Sequence, residues 1–385
     1  MRPVLVDLPR PATREDYETC LAAARRILEA DSRVVAAYVA GEVRHPGHSD
    51  IDLLVVLADG VDLSPAIRPA DLPPPGPYLA SHSFPHYPRR LFRDIHYVFP
   101  LFSPLVPLFE KKPVDTVPPP ADPEERRLLA AFYAFDYLHK KVYRLLDHQD
   151  GGSLPARTLL CHLHTLRYTW SCVENATGAP FGGDFVSRVD SLRGGWFDAD
   201  PGTAADELAS LIQEGARLGF DAAWRLATFF AGLPGNPGGE ARFVNRDEAI
   251  LFTDAVAGPE EAYQASLAGR RSWRIPLAGR RIRFAPVVQP AALSAVLATY
   301  ARGEGPWSAW IGRSLKAVRS ASPVALSPPI QRRTAALDEI ARLSLSSPLK
   351  NSYPYGFPPA GREGFARRLA SALVHRRFRS FARPR

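Results

Sequence analysis

Residues 37–57 read AYVAGEVRHPGHSDIDLLVVL, two apolar runs joined by a polar segment that contains glycine and proline. Each apolar run predicts a β-strand, and Asp50 and Asp52 stand where the second strand begins. On a strand these two carboxylates share one face, roughly 7 Å apart, while Ile51 and Leu53 share the other. Like charges this close repel each other, and Mg²⁺ is a common compensation. The pair therefore predicts a metal site.

The stretch resembles the signature of the nucleotidyltransferase superfamily, which includes DNA polymerase β, poly(A) polymerases and the antibiotic nucleotidyltransferases. That signature is an apolar strand, a Gly-Ser or Gly-Gly turn, and then Asp-x-Asp leading into a second apolar strand. In this chain Gly41 provides the turn glycine, and Ser49, Asp50 and Asp52 provide the second half. The resemblance is confined to the N-terminal part of the chain.

The resemblance implies an enzyme that transfers a nucleoside monophosphate from a nucleoside triphosphate (NTP) to a hydroxyl acceptor. Two Mg²⁺ ions would be held by Asp50, Asp52 and a third carboxylate, and Gly41, Glu42 and Ser49 would lie near the nucleotide. Glu42 departs from the family pattern, which has Ser or Gly at this position. A carboxylate there would repel a triphosphate, and the Ser49 hydroxyl is the candidate to replace the missing group.

The third carboxylate is predicted to be Asp94. It lies in the segment 90–99, RLFRDIHYVF, for which alternating side chains predict a strand with Asp94 and His96 on one face. In the family such a carboxylate accepts the proton of the attacking hydroxyl. The alternative is a solvated carboxylate on an edge strand, paired with Arg93.

Composition indicates a globular protein of about two or three domains. The chain has 385 residues, of which 46% are hydrophobic. We expect a cytoplasmic protein, because we find neither a signal-peptide pattern nor an apolar run long enough to span a membrane. Three cysteines are too few and too scattered for a disulfide framework or a zinc cluster.

Proline-rich and glycine-rich segments predict the domain boundaries. Residues 1–117 form the nucleotidyltransferase-like domain, and a proline-rich stretch then precedes a helical bundle over 122–233. A glycine-rich stretch precedes a basic domain of strands and helices over 242–385. The predicted fold class is α+β: a mixed sheet with helices, then the bundle, then the basic domain. Between Leu63 and Pro88 the prolines predict a long loop able to form a wall of the substrate site.

Charge is distributed unevenly along the chain. Residues 256–385 contain 22 Lys and Arg against 6 Asp and Glu, whereas the whole chain has a net charge of +8. A hairpin with Arg281 and Arg283 on one face and a basic amphipathic helix over 362–381 are predicted within this part. Such a surface attracts nucleic acid or another anionic surface, and solvated arginines are an equal alternative.

Three functions are consistent with these patterns. The first is a metal-dependent nucleotidyltransferase acting on a small-molecule hydroxyl acceptor, since no RNA-recognition signature or zinc knuckle appears. The second is a non-catalytic module that keeps the fold for binding or regulation, which Glu42 motivates. The third is a nucleic-acid-binding protein that uses the basic region 242–385.

Overall fold

The computed structural model describes residues 3–100, 105–149, 152–233, 240–244, 248–270, 274–277, 280–283, 285–316 and 327–347. Within these ranges helices alternate with several small sheets, in agreement with the predicted α+β class. The predicted domain layout of 1–117, 122–233 and 242–385 stays a prediction.

The N-terminal segment contains strand β1 (Val4–Val6) and helix α1 (Arg14–Ala30). Thr13 caps α1: its hydroxyl accepts a hydrogen bond from the Asp16 amide, and its own amide donates to the Asp16 carboxylate at 2.7 Å. This reciprocal pair satisfies amides that the first helical turn leaves free. The helix therefore starts directly after Thr13 and has Asp31 as its C-cap.

The Asp-containing strand is central in a four-stranded sheet of β2 (Val34–Ala40), β3 (Asp52–Leu57), β4 (His86–Pro88) and β5 (Val106–Glu110), in the order β4-β3-β2-β5. Strands β2 and β3 are antiparallel, and Ala40 lies opposite Asp52. Ile51, Leu53 and Val55 pack in the apolar cluster around α1, as the alternation predicted. Leu54 and Val56 pack in the other cluster, so Asp52 projects from the face opposite to α1.

Residues 90–99 are not a strand, which corrects the prediction for Asp94. After the short helix α2 (Gly76–Leu79), the chain forms helices α3 (Arg89–Phe92) and α4 (Ile95–Val98), with Asp94 between them. The buried side chains of this segment include Leu91, Phe92, Ile95 and Val98, which recur at helical spacing, together with Tyr97 and Phe99. Alternation and helical spacing coexist in this short sequence, and burial against the neighbouring helices selects the helical one.

The middle of the chain is helical, as predicted. Helix α5 (Pro123–Tyr137) begins with proline in its first turn and continues through a π-helical turn (Leu138–Val142) and a 3-10 segment (Tyr143–His148). Strand β6 (Ser153–Pro155) pairs in parallel with β1 and leads into α6 (Ala156–Thr177). Helices α7 (Phe185–Gly194) and α8 (Pro201–Ala231) complete this part.

The C-terminal part contains a second four-stranded sheet, ordered β11-β8-β7-β12, a two-stranded hairpin and four helices among its described residues. In chain order the elements are β7 (Ala241–Val244), β8 (Glu248–Phe252), α9 (Pro259–Arg270), β9 (Arg274–Leu277), β10 (Arg280–Arg283), β11 (Ala285–Gln289), α10 (Ser294–Tyr300), α11 (Pro306–Ser314), β12 (Leu315–Lys316) and α12 (Pro328–Ser346). The predicted hairpin is confirmed as the antiparallel pair β9 and β10. The side chains of Arg281 and Arg283, and the predicted helix over 362–381, lie outside what the structure describes.

One apolar core runs from the β2–β3 sheet through the bundle to α10, α11 and α12. It includes Leu54 and Val56 of the sheet, Phe132 and Phe135 of α5, and Trp307 of α11. Within the described ranges, no helix has the length and apolar character needed to cross a membrane.

A buried charge pair joins α5 to α12 inside this core. The guanidinium of Arg333 donates to Asp136 Oδ2 at 2.5 Å and to the carbonyls of Tyr97 and Val98 at 2.6 and 2.7 Å. The Tyr300 hydroxyl donates to the same Asp136 oxygen at 2.6 Å. Burial alone would lower the pKa of Arg333, but Tyr300 and Asp136 outweigh it and raise the pKa, so the guanidinium stays charged.

We predict that Arg333→Met destabilises the protein by about 3–5 kcal/mol, because it leaves the Asp136 carboxylate buried without its cation. Urea unfolding monitored by circular dichroism measures this loss. Adding Asp136→Leu removes the uncompensated charge, so the double variant should lose less stability than the sum of the single variants. A loss of less than about 1 kcal/mol for Arg333→Met would contradict the structural role of the pair.

Candidate metal and phosphate site

A cavity of about 740 Å³ lies between the β2–β3 turn, the loop before β4 and the helices α5 and α6. Gly41, Glu42, Asp50 and Asp52 line it from the sheet side. The bundle side contributes five basic or neutral nitrogen-containing side chains, Lys140, Lys141, Arg157, His162 and Arg167. Acidic and basic groups thus face each other across one cavity.

The turn that carries the carboxylates is held by two tyrosine hydroxyls. Tyr17 donates to the Ser49 carbonyl at 2.5 Å and accepts from the Gly47 amide at 3.0 Å. Tyr78 donates to the Gly47 carbonyl at 2.7 Å. Gly47 has φ +85°, and a Cβ there would lie 2.3 Å from the Arg10 carbonyl oxygen, so only glycine fits. These bonds fix the backbone that leads into Asp50.

Asp50 and Asp52 converge with His82, which comes from the loop before β4. His82 Nε2 lies 2.7 Å from Asp52 Oδ1 and 3.8 Å from Asp50 Oδ2. The Ser81 hydroxyl donates to Asp50 Oδ2 at 2.7 Å. The predicted convergence of the two carboxylates is therefore seen in the structure, and the proline-rich loop supplies part of the cavity wall.

The protonation of this cluster reflects the repulsion between the carboxylates. Burial, and next the charge of Asp52, raise the pKa of Asp50. The hydrogen bond to Asp52 raises the pKa of His82 to about 9, so His82 is a cation at neutral pH. In this arrangement the imidazolium compensates the negative charge that a divalent cation would otherwise compensate.

The donor atoms fit a divalent cation. One ligand atom from each of Asp50, Asp52 and His82 lies within 4.8 Å of the others. Two carboxylate oxygens suit Mg²⁺, and an added imidazole nitrogen also suits Mn²⁺ or Zn²⁺. His82 therefore takes the place in which the sequence predicted a third carboxylate.

Asp94 is not part of this cluster. Its carboxylate lies 3.2 Å from Arg332 Nη1 of α12, and it is not among the residues that line the cavity. The expected role of Asp94 depended on its being on a strand beside β3, whereas it lies between α3 and α4. The structure thus separates Asp94 from Asp50 and Asp52.

Gly41 and Glu42 line the cavity and Ser49 does not, while the predicted position of all three near a nucleotide stays a prediction. Gly41 has φ +78°, with open space around its Cα. Glu42 forms an ion pair with Arg44 at 2.7 Å, so part of its charge is neutralised before any ligand binds. The Ser49 hydroxyl accepts from the His45 amide at 3.3 Å and serves the turn itself. Ser81 is the serine that contacts the carboxylate cluster.

A first basic group, Lys140 and Lys141, lines the cavity from the π-helical turn after α5. Burial, and next the charges of Lys141 and Arg144, lower the pKa of Lys140 to about 7. Burial and Lys141 also lower the pKa of His162 to about 3. A π-helical turn has i→i+5 hydrogen bonds, so its side chains point in directions that differ from those of an α-helix. Such turns are frequent at functional sites.

Arg167 of α6 and Arg193 of α7 form a second basic group. Arg167 lines the cavity, whereas Arg193 is buried and is not among the lining residues. Burial, followed by the charges of Arg193 and Arg167, lowers the pKa of His164 to about 2. Arg157 stacks on the Tyr78 ring with its guanidinium carbon 3.8 Å from the ring centroid.

No family model, curated protein or solved structure matches this chain. The site is therefore interpreted from its own geometry and from the motif around Asp50 and Asp52.

We predict that Lys140 reacts with small amine-acylating reagents with a pH midpoint near its lowered pKa of about 7. Above that pH the amine of Lys140 is neutral and nucleophilic, whereas a lysine with the ordinary pKa of 10.5 is still protonated. Mass spectrometry of labelled peptides at several pH values measures the midpoint, with the exposed Lys112 as reference. A shared midpoint for Lys140 and Lys112 would contradict the burial effect.

The lowered pKa of Lys140 also predicts how the stability of the protein changes with pH. Between pH 7 and 10.5 Lys140 is neutral in the folded protein and charged in the unfolded chain. Because the unfolded chain binds one more proton, a lower pH in this window favours unfolding. The stability of the native protein relative to Lys140→Met should therefore rise with pH across this window. Thermal melting of both proteins at matched pH values measures the difference.

Proposed function

We propose that this chain is a metal-dependent nucleotidyltransferase that transfers a nucleoside monophosphate from an NTP to the hydroxyl of a small molecule. The observation that carries the proposal is the convergence of Asp50 and Asp52 at one wall of a cavity whose opposite wall is basic. A carboxylate pair that suits Mg²⁺, facing lysines and arginines, is a suitable environment for a polyphosphate.

Asp50 and Asp52 would hold the Mg²⁺, with His82 as a third donor or as a neighbour that moves aside. The resemblance implies two ions, and the described lining offers one cluster of three ligand atoms. When bound, Mg²⁺ would neutralise charge on the reacting phosphate.

The chain's own groups account for the remaining requirements. The open turn at Gly41 lets phosphate oxygens approach backbone amides, and Lys141 and Arg44 supply cationic donors for the triphosphate. Nζ of Lys140, with its pKa lowered to about 7, can accept the proton of the acceptor hydroxyl at neutral pH. This assigns to Lys140 the task that the sequence assigned to Asp94.

A second candidate function is a non-catalytic binding module. It is favoured by the imidazolium of His82, whose ring nitrogen lies 2.7 Å from Asp52, and by the absence of a third carboxylate from the described cluster. Calorimetry with each of the four NTPs and Mg²⁺, combined with a pyrophosphate-release assay, separates the two. Binding without pyrophosphate release in the presence of candidate acceptors would favour the module.

Binding of nucleic acid or another anionic surface through 242–385 remains a separate proposal. The basic excess of 256–385 motivates it, and much of that excess lies in residues outside the described ranges. A steep fall of RNA or DNA affinity with rising salt would support it.

We predict that Asp52→Asn lowers NTP-dependent pyrophosphate release by more than about 100-fold, because even indirect metal partners cost 10- to 100-fold. Melting temperature should change little, since the variant loses both the His82 pair and the repulsion from Asp50. Asp94→Asn is the matched control, because Asp94 lies outside the cavity and should retain turnover. Equal losses in both variants would count against the assignment.

We predict that Glu42→Ser tightens binding of the Mg²⁺-bound triphosphate by about 2- to 10-fold. The variant removes a negative charge from the cavity wall and releases Arg44 from its ion pair. Isothermal titration calorimetry at two salt concentrations measures the gain, which should shrink at high salt. Weaker binding in the variant would show that Glu42 contributes directly to the metal or nucleotide site.

A further inference from the structure

A group of three nitrogen-bearing side chains consists of His48, Arg167 and Arg193. His48 and Arg167 line the cavity, and Arg193 acts electrostatically on both. We call them the Arg193 group. The transfer reaction proposed above gives none of them a role.

Arg193 is buried and forms no ion pair with a described residue, although the charges of Asp190 and Asp50 act on it from a distance. Only 2% of its surface is exposed, and its Nε and Nη1 atoms make no hydrogen bond to any described residue. The nearby Asp190 is engaged elsewhere, with Oδ1 2.9 Å from His45 Nε2 and Oδ2 3.8 Å from Arg44. A buried guanidinium is strongly unfavourable unless an anion accompanies it.

His48 and Arg167, which line the cavity, also have buried nitrogen atoms without a hydrogen-bond partner among the described residues. His48 is 5% exposed and packs against Trp196 and Phe197, yet neither of its ring nitrogens has a partner among the described residues. Arg167 donates from Nη2 to the Tyr168 hydroxyl at 2.9 Å, and its buried Nε is likewise unpaired within the described structure. Buried polar atoms in a native protein normally have partners.

We propose that the Arg193 group is a binding subsite for an oxyanion, a phosphate or carboxylate group of a substrate, separate from the metal ligands Asp50 and Asp52. Guanidinium and imidazole N–H donors match the acceptor oxygens of such a group, and an anion supplies the charge that Arg193 lacks.

The position of this subsite indicates that it binds the hydroxyl acceptor, the second substrate of the proposed reaction. His162 and His164 lie about 200° apart around α6. Besides burial, the charges of Lys140 and Lys141 lower the pKa of His162, whereas those of Arg193 and Arg167 lower the pKa of His164. The two basic groups therefore act on different histidines of α6, while Lys140, Lys141, His48 and Arg167 line one cavity. If the lysine side receives the triphosphate, a step that rests on the proposed function, the Arg193 group receives an anionic acceptor.

The test uses the full chain and inorganic phosphate in the presence of EDTA, so that no metal contributes. Calorimetry should show saturable phosphate binding that weakens by about tenfold or more in Arg193→Met, the loss of a charge-assisted contact. His48→Phe, which keeps the packing on Trp196 and Phe197, should weaken it as well. Arg217→Met removes an equal charge from the exposed surface of α8 and should leave the affinity unchanged.

Thermal melting separates a ligand-binding role from a structural one. Without phosphate, Arg193→Met should melt at or above the native temperature, because it removes a buried unpaired charge; with phosphate, only the native protein should gain stability. A native protein that does not bind phosphate, or an Arg193→Met protein that binds it as well as the native protein does, would overturn the proposal. If Arg193→Met fails to fold, His48→Phe decides between the same outcomes.

Two further measurements identify the source of the anion and isolate the proposal from the proposed function. In the Asp50→Asn/Asp52→Asn variant, Mg²⁺-dependent NTP binding should be lost while phosphate binding persists; joint loss would contradict a separate subsite. In the native protein, saturating Mg²⁺–NTP should leave phosphate affinity unchanged if the anion belongs to the acceptor. Competition would support the oxyanion subsite and identify its ligand as the triphosphate.

Discussion

Repulsion between Asp50 and Asp52 is the constraint around which the site is built. The β2–β3 pairing places Asp52 opposite Ala40, and the turn before β3 holds Asp50 beside it. The tyrosine hydroxyls of α1 and α2 hold this turn by hydrogen bonds to its backbone, so the carboxylates cannot relax apart without breaking buried bonds. Compensation must come from other elements, and it comes from His82 and Ser81.

Local sequence was sufficient for several elements, but not for the predicted loop between Leu63 and Pro88, which contains α2 and β4, nor for residues 90–99. The start of α1 at Thr13 and of α5 at Pro123 follows from capping and proline chemistry, which act over a few residues. Residues 90–99 satisfy both a strand and a helix pattern over a length too short to discriminate. Their conformation depends on the helices that pack around them, including the Arg333 contact with the carbonyls of Tyr97 and Val98.

Some residues of the candidate site could be predicted from the sequence, and others are identified only by the structure. Asp50 and Asp52 are recognisable from their spacing at the start of an apolar run, and both line the cavity together with Glu42. Ser81 and His82 were hidden in a proline-rich loop without periodicity, although that loop had been predicted to form a wall. Lys140 and Lys141 were not among the site residues predicted from the sequence, and both line the cavity from the π-helical turn after α5. Arg193 carries no sequence signal at all.

The cavity owes its character to an imbalance between its two walls. The carboxylates are compensated by a single imidazolium, and Glu42 by Arg44, whereas the cations around α6 exceed the described acids beside them. Burial, and next the neighbouring cations, lower the pKa values of Lys140, His162 and His164. A ligand that brings several negative charges would relieve both the burial and the mutual repulsion of these groups at once. The electrostatics of the bundle thus argue for polyanionic ligands independently of the Asp50–Asp52 motif.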